Sequence, residues 1–394
     1  MGMLRCCGER PRLQLDWSSK DGHRAASWAE LFVDLSFVAA NLKLSDHLKS
    51  SLDAQGFLRF VAMFAMFFEV WSGLVFYTTR FYEAKRRTVL GEAAYVGTLA
   101  SLVFMGIPIG AVASGGGGHA RALAVGPADG PQPGLGLLVP WFSIAAACAH
   151  GVLAATNWVL AAAIPRARVL CGLYGLSYAL AAALAGAGAG ASDGAAPWLW
   201  LASAAVAKAG PTLASFVPRQ WSLPVHVEHV SERLALVLML TLGEGVISLV
   251  LPPVRDPVPH AVVALAALSL LWLMREAYYS GQPFMARHHA LRRKRSAGRT
   301  FVHAHVLVCG GALAAGVALK SELSHLGQPL EPAESWLLAG GLMLFLASTS
   351  LIRVSHRGIS RELGIGKYAA LPPAGAAPAV VAADSKGDTG LAED

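Results

Sequence analysis

The chain has 394 residues, 55% of them hydrophobic and only 14% charged, with a mean hydropathy of +0.49. A soluble domain carries roughly 25% charged residues, so a large water-soluble core is excluded, and repeated apolar runs of about 20 residues point instead to an all-α, multi-pass integral membrane helix bundle. The formal charge of +7 falls in the short connections between those runs, which is a topology signal; no nucleic-acid partner is expected.

Residues 1–27 read as a basic cytoplasmic tail. The first 26 contain no apolar core, so no cleavable signal peptide is expected. Cys6 and Cys7 follow Met1-Gly2, and membrane-proximal cysteines can be palmitoylated. Cys6 stands where the myristoylation pattern wants Ser or Thr, and an unmodified basic tail is the alternative. Cys148, Cys171 and Cys309 lie inside apolar runs, where packing is expected rather than bridging.

Ten spans are predicted within a bundle covering residues 28–355. They run roughly over 28–48, 57–79, 89–113, 135–163, 169–190, 197–218, 229–251, 259–281, 300–321 and 334–355. Most could cross a hydrocarbon layer of about 30 Å. Arg and Lys gather in the N-terminal tail, in the even-numbered connections and after the last span. The odd-numbered connections hold only Lys49, Arg121 and Arg255, with Lys320 at the outer end of span 9. That alternation predicts that both termini are cytoplasmic.

Span 1 is the least apolar and contains Glu30, Asp34 and Asn41. Glu30 and Asp34 are four residues apart on one helix face, and Asn41, about three turns on, falls near the same stripe. Intramembrane acids are costly and should face protein or water. Span 2 carries Glu69 in its middle and Arg80 at its inner end. Pro108 in span 3 and Pro211 in span 6 predict kinks. The Gly- and Pro-rich segment 114–134 reads as a flexible external loop, and residues 356–394 as a largely disordered cytoplasmic tail.

Lys208 in span 6 lies too deep to reach water easily, so it is expected to pair with Glu69 or Glu244. Span 7 carries Glu232 and Arg233 at its inner end, and Glu244 between Gly243 and Gly245. Glu244 is the best single candidate for a substrate- or proton-carrying acid. Trp71 and Tyr77 have the spacing of Trp272 and Tyr278 in span 8, which leaves a parallel duplication of spans 1–3 and 7–9 open. Arg275, Glu276, His303 and His305 are expected at the same inner level as Glu30, Asp34, Arg80, Glu232 and Arg233. Two readings of that layer remain. It is the vestibule or proton relay of a transporter or channel, or an ion-pair network in which Arg80 and Arg233 neutralise the span 1 acids.

Metal binding is the rival chemistry. His226, His229 and Glu232 recur every three residues, but their order is not that of a zinc protease, and solvated caps are the plainer reading. No serine elbow, phosphate loop or cysteine pair is present. No enzyme activity, resident metal or cofactor is expected.

Several of these residues also carry a family resemblance. Glu30-Leu31-Phe32-Val33-Asp34-Leu35-Ser36-Phe37-Val38 resembles the first-helix motif of the bacterial low temperature requirement protein A family, which runs Glu-Leu-Phe-Phe-Asp-Leu, then apolar, Phe, Val. Tyr77-Thr78-Thr79-Arg80-Phe81 is similar to its Tyr-x-x-Arg-Phe. Glu232-Arg233 with Gly243-Glu244 is similar to its Glu-Arg…Gly-Glu helix, and His305 with Gly310 to its late His-then-Gly pattern. Tyr82-Glu83 departs from the aspartates usual after Arg-Phe. Ser36 replaces an apolar residue, and 114–134 resembles an insertion. The resemblance implies a multi-pass membrane protein linked by name to growth in the cold. The partners expected are membrane lipids and an unidentified ion or small solute, with a homo-oligomer left open.

Overall fold

The structure is a computed structural model. It describes residues 26–81, 88–114, 133–223, 225–252, 254, 256–283, 288–327, 329 and 331–356. The basic N-terminal tail, the centre of the Gly/Pro loop, the C-terminal tail and the lipidation candidates Cys6 and Cys7 lie outside the described residues.

The described residues are helical throughout, without strands. The helices are α1 (Trp28–Ser50), α2 (Ala54–Phe81), α3 (Val89–Ser114), α4 (Pro133–Ala163), α5 (Arg168–Ala187), α6 (Ala196–Ala214), α7 (Val227–Val250), α8 (Pro257–Tyr279), a one-turn α9 (Ala290–Arg293), α10 (Arg295–Ser324) and α11 (Pro332–Ser355). Eight of them are long and apolar enough to cross a membrane, so this is an integral multi-pass membrane protein. The two that fall short of the expected ten are α1, which carries Glu30, Asp34, Lys43, Asp46 and Lys49, and α6, only 19 residues long with Lys208 and Pro211 inside it. The described helices therefore support eight to ten spans.

Local chemistry sets the helix ends. α1 begins with a capping box: the Ser27 hydroxyl accepts from Glu30 N–H (3.3 Å), and Ser27 N–H donates to Glu30 Oε2 (2.7 Å). α7 starts on His226, whose Nδ1 accepts from His229 N–H at 3.1 Å. α8 starts with Pro257 at its first position, where no backbone donor is lost. Pro108, Pro140 and Pro211 all stand inside continuous helices.

The long α10 is a central element, packed against α11, α7, α1 and α2. Its crossing with α11 is close because two glycines face each other. A Cβ on Gly311 would stand 2.8 Å from Gly341 O and Phe345 N, and one on Gly341 would stand 2.8 Å from Ala315 N. α2 is sheathed by α1, α3, α4, α6 and α7, and 89% of its most apolar stretch is buried. α8 touches α7, α10 and α11 and has only 17% of its stretch buried, leaving Val262, Leu265, Trp272 and Leu273 outward.

The proposed echo between spans 2 and 8 divides accordingly. Tyr77 and Tyr278 are both buried, but Trp71 is buried inside the bundle while Trp272 faces out beneath Arg275. Cys171 and Cys309 are buried as expected, whereas Cys148 is exposed on the outward face of α4, so packing does not explain it.

Candidate functional site

The span 1 acids meet a matching pair on α7. Glu30 and Asp34 are spaced by four residues, as are His229 and Arg233. α1 and α7 therefore present two ladders of the same pitch. Glu30 Oε1 lies 3.0 Å from His229 Nε2. Asp34 accepts from both terminal nitrogens of Arg233, at 2.5 and 2.7 Å. This is the fork geometry that makes an arginine–carboxylate pair strong.

From α2, Trp71 Nε1 donates to Asp34 Oδ1 at 2.8 Å, and its ring lies 5.9 Å from the Arg233 guanidinium carbon. Arg233 also reaches the Glu30 carbonyl at 3.3 Å. Glu30, Asp34, His229 and Arg233 are all about 1% exposed or less. The repulsion expected between the two acids is thus relieved by one cation and one imidazole, with α1, α2 and α7 tied at a single level.

Arg80 is not part of this knot, so of the two cations in the ion-pair reading only Arg233 meets the span 1 acids. Arg80 sits on α2 with its guanidinium carbon 5.6 Å from the Phe76 ring and 5.5 Å from the Tyr174 ring. It has no carboxylate partner among the described residues, and its Nε is unbonded. The reason is helical phase. Arg80 is nine residues beyond Trp71, which turns it by 900°, half a turn away from the face that meets α1.

Arg80 instead lines a cavity of about 740 Å³ between α2, α5, α6, the connection into α7 with its first turn, α9, and the start of α10. Lys208 and His303 line it too. Lys208 Nζ lies 2.7 Å from Glu69 Oε1, the first of its two expected partners, and 5.5 Å from the Phe68 ring. His303 Nε2 lies 3.2 Å from Thr212 Oγ1.

His305 points elsewhere. Its Nδ1 lies 2.6 Å from the Phe301 carbonyl, which requires the proton on Nδ1, so Nε2 accepts from Tyr278 O–H at 2.7 Å. Arg275 and Glu276 pair with each other on the partly exposed α8. Glu232 is half-buried on α7, one residue before Arg233, and does not join the knot. The single inner layer of charges expected for five helices is thus a knot, a cavity and a local α8 pair. The face imagined for a metal is divided as well, with His226 capping α7 and His229 committed to Glu30.

A third polar region lies toward the other end of the parallel helices α1, α7 and α10. Glu244 is eleven residues after Arg233, about 16 Å along α7. It is 1% exposed; Oε1 accepts from Ser248 Oγ at 3.0 Å, while Oε2 has no hydrogen-bond partner. Ser45 of α1 adjoins this carboxylate, and Lys320 and Asp46 act on it electrostatically. A Cβ on Gly316 of α10 would come 3.6 Å from Oε2.

One turn from Ser45, Asn41 is fully buried with both amide atoms unpartnered. Further along, Lys320 Nζ pairs with Asp46 Oδ1 at 2.5 Å, and Lys49 Nζ donates to Ser324 Oγ at 2.6 Å.

Sequence reading missed three partners. His229 was legible through the matched four-residue spacings. Nothing in the sequence sets Trp71 apart from the chain's other tryptophans, and only its burial on α2 against α1 reveals it as a donor to Asp34. The Asp46–Lys320 pair joins residues 274 apart and leaves no local signal.

No curated protein and no solved structure matches the chain. The family model described as bacterial low temperature requirement A protein (LtrA) matches residues 25–386, a range that contains all four motifs and the charged sites described above. The chain belongs to the bacterial low temperature requirement A family.

Proposed function

We propose that this family member is a transporter or channel-like protein that moves an ion or small solute, with Glu244 as the carboxylate its cargo meets. The observation that carries this reading is the fully buried carboxylate of Glu244, with Oε2 lacking any protein hydrogen bond of good geometry and facing Ser45 of α1, one turn along from the buried, unpartnered amide of Asn41. Leaving a buried polar group unbonded costs about 1–3 kcal/mol. Inside a membrane protein such groups are retained where an ion, water or solute visits them. With the termini cytoplasmic, as the basic connections suggest, Glu244 lies in the outer half of the membrane and the Asp46–Lys320 pair stands beyond it.

The test is a proteoliposome flux screen over protons, alkali cations and small anions, comparing wild type with Glu244→Gln. Flux in the wild type and its loss in a variant with unchanged unfolding behaviour supports the reading. Flux that persists undiminished in Glu244→Gln refutes the role of Glu244.

A second reading rests on a different observation. Asp34 accepts three donors and Glu30 is held by its capping box and His229, so the first-helix acids serve cohesion. A non-transporting membrane scaffold or lipid-interacting stress-adaptation protein needs no more than that. Absence of flux under every gradient, combined with loss of folding in Glu244→Gln, favours this alternative.

A further inference from the structure

The cavity beside Arg80 has a charge imbalance that neither reading uses. Arg80, Lys208, Arg292, Arg295 and Arg299 line it, against a single carboxylate, Glu228, which is exposed. Among the described residues only Lys208 has an acidic partner, Glu69.

Arg80 is only 6% exposed, so its charge is almost wholly withdrawn from water, with aromatic faces but no counter-ion among the described residues. Arg295 donates to the Ser215 and Val217 carbonyls and Arg299 to the Ser215 hydroxyl. Those bonds tie the start of α10 to the end of α6 through Nη1 alone. The other guanidinium donors of both residues stay unused, since each fork carries five N–H groups.

Like charges around one concave space repel, more strongly as water is excluded. A multivalent anion would relieve that repulsion and satisfy the buried fork of Arg80. Arginine matches planar or tetrahedral oxyanions bidentately. The Phe76, Leu170, Tyr174 and Leu223 walls add an apolar side to the same space. A volume near 740 Å³ suits a small organic molecule, not a bare ion.

We propose that this cavity binds the phosphate group of an organic anion, held by Arg80 at its inner wall and by Arg292 and Arg299 at its mouth. Two sources carry that chemistry: a soluble organic phosphate or the headgroup of an anionic phospholipid. The proposal is independent of Glu244, which lies toward the opposite end of α7.

The test has two arms. In the first, phenyl phosphate is titrated onto the protein in phosphatidylcholine nanodiscs, with binding read from thermal stabilisation. In the second, retention of phosphatidylglycerol over phosphatidylcholine is measured by native mass spectrometry from mixed micelles. Each arm uses wild type, Arg80→Gln, Arg292→Gln and the exposed control Lys43→Gln.

Saturable phenyl phosphate binding, weakened about ten-fold by Arg80→Gln or Arg292→Gln and unchanged by Lys43→Gln, assigns a soluble phosphate. Selective phosphatidylglycerol retention, lost in the same variants without a phenyl phosphate response, assigns a lipid headgroup. A positive result in both arms supports the shared phosphate chemistry. Arg292 is exposed on the one-turn α9, so its substitution reports on binding even if Arg80→Gln fails to fold. The proposal is overturned if neither probe binds wild type, or if binding is the same in Arg292→Gln as in wild type.

Discussion

Replacing Asp34 with Leu would remove the carboxylate that holds Arg233, and the consequence can be estimated from the geometry. Arg233 is 1% exposed and directs both terminal nitrogens at Asp34, and Trp71 supplies a third bond. Deleting one member of a buried pair strands the other, at a cost of about 3–5 kcal/mol. The lost Trp71 bond adds about 1 kcal/mol. The Glu30 carbonyl, 3.3 Å from Arg233, and the nearby Glu30 carboxylate temper this, so the lower end of the range is expected.

The double variant Asp34→Leu/Arg233→Met removes both charges and fills the space with apolar atoms. It should recover most of the loss, because a buried pair exchanged for packed hydrophobic side chains is often neutral. The assay is a double-mutant cycle by denaturant unfolding in mixed micelles, followed by helical circular dichroism. A single variant within about 1 kcal/mol of wild type would refute the reasoning, as would a double variant as unstable as the sum of the singles. If the double variant also keeps any flux seen in the wild type, Asp34 and Arg233 belong to the scaffold and not to the path.

Three other outcomes follow from the geometry. Gly311→Val should destabilise the protein by about 1–3 kcal/mol, because the added carbons meet backbone atoms of α11 that cannot move aside. Gly340→Ala, where a Cβ meets nothing within 4 Å, should be close to neutral in the same unfolding assay. Acid should loosen the corner where α9 meets the end of α11. Burial, reinforced by the adjacent His356 and His305 rings and Arg292, pushes His289 down to about 3, and burial pushes His356 down to about 4.

Both imidazoles are neutral when folded; His356 Nδ1 accepts from Ala290 N–H at 3.0 Å and His289 Nδ1 from Leu291 N–H at 3.3 Å. An unfolded histidine takes its proton near pH 6.5, so their contribution is complete above that value. It falls as pH drops toward 4, by about 1 kcal/mol per unit for each group. Hydrogen exchange at 288–293, measured from pH 7.5 to 4.5, should accelerate relative to the centre of α10; a pH-independent ratio refutes this account.

The sequence by itself determined the membrane class, most helix positions and the residues that matter. Apolar run length and the alternation of basic connections follow from the energetics of crossing a hydrocarbon layer, which act on each segment separately. The motif residues Glu30, Asp34, Arg233 and Glu244 were conspicuous for the same reason, since a charge at that depth is costly wherever its partner lies. Lys208 could be matched with Glu69 because only a few acids share its depth.

Depth, however, is all that hydropathy encodes, because lipid and packed helix are equally apolar surroundings. Which way each helix is turned, and which helices are neighbours, came only from the tertiary structure. That decided that Trp71 binds Asp34 while Trp272 faces out, and that α2 is enclosed while α8 is not. It also placed Arg80 half a turn away from the acids that one of the two readings had it neutralise, in a cationic cavity assembled from α2, α5, α6, α9, α10 and the start of α7 with the connection before it. Helix rotation is set by close packing at places such as Gly311 and Gly341, through contacts between residues far apart in the chain.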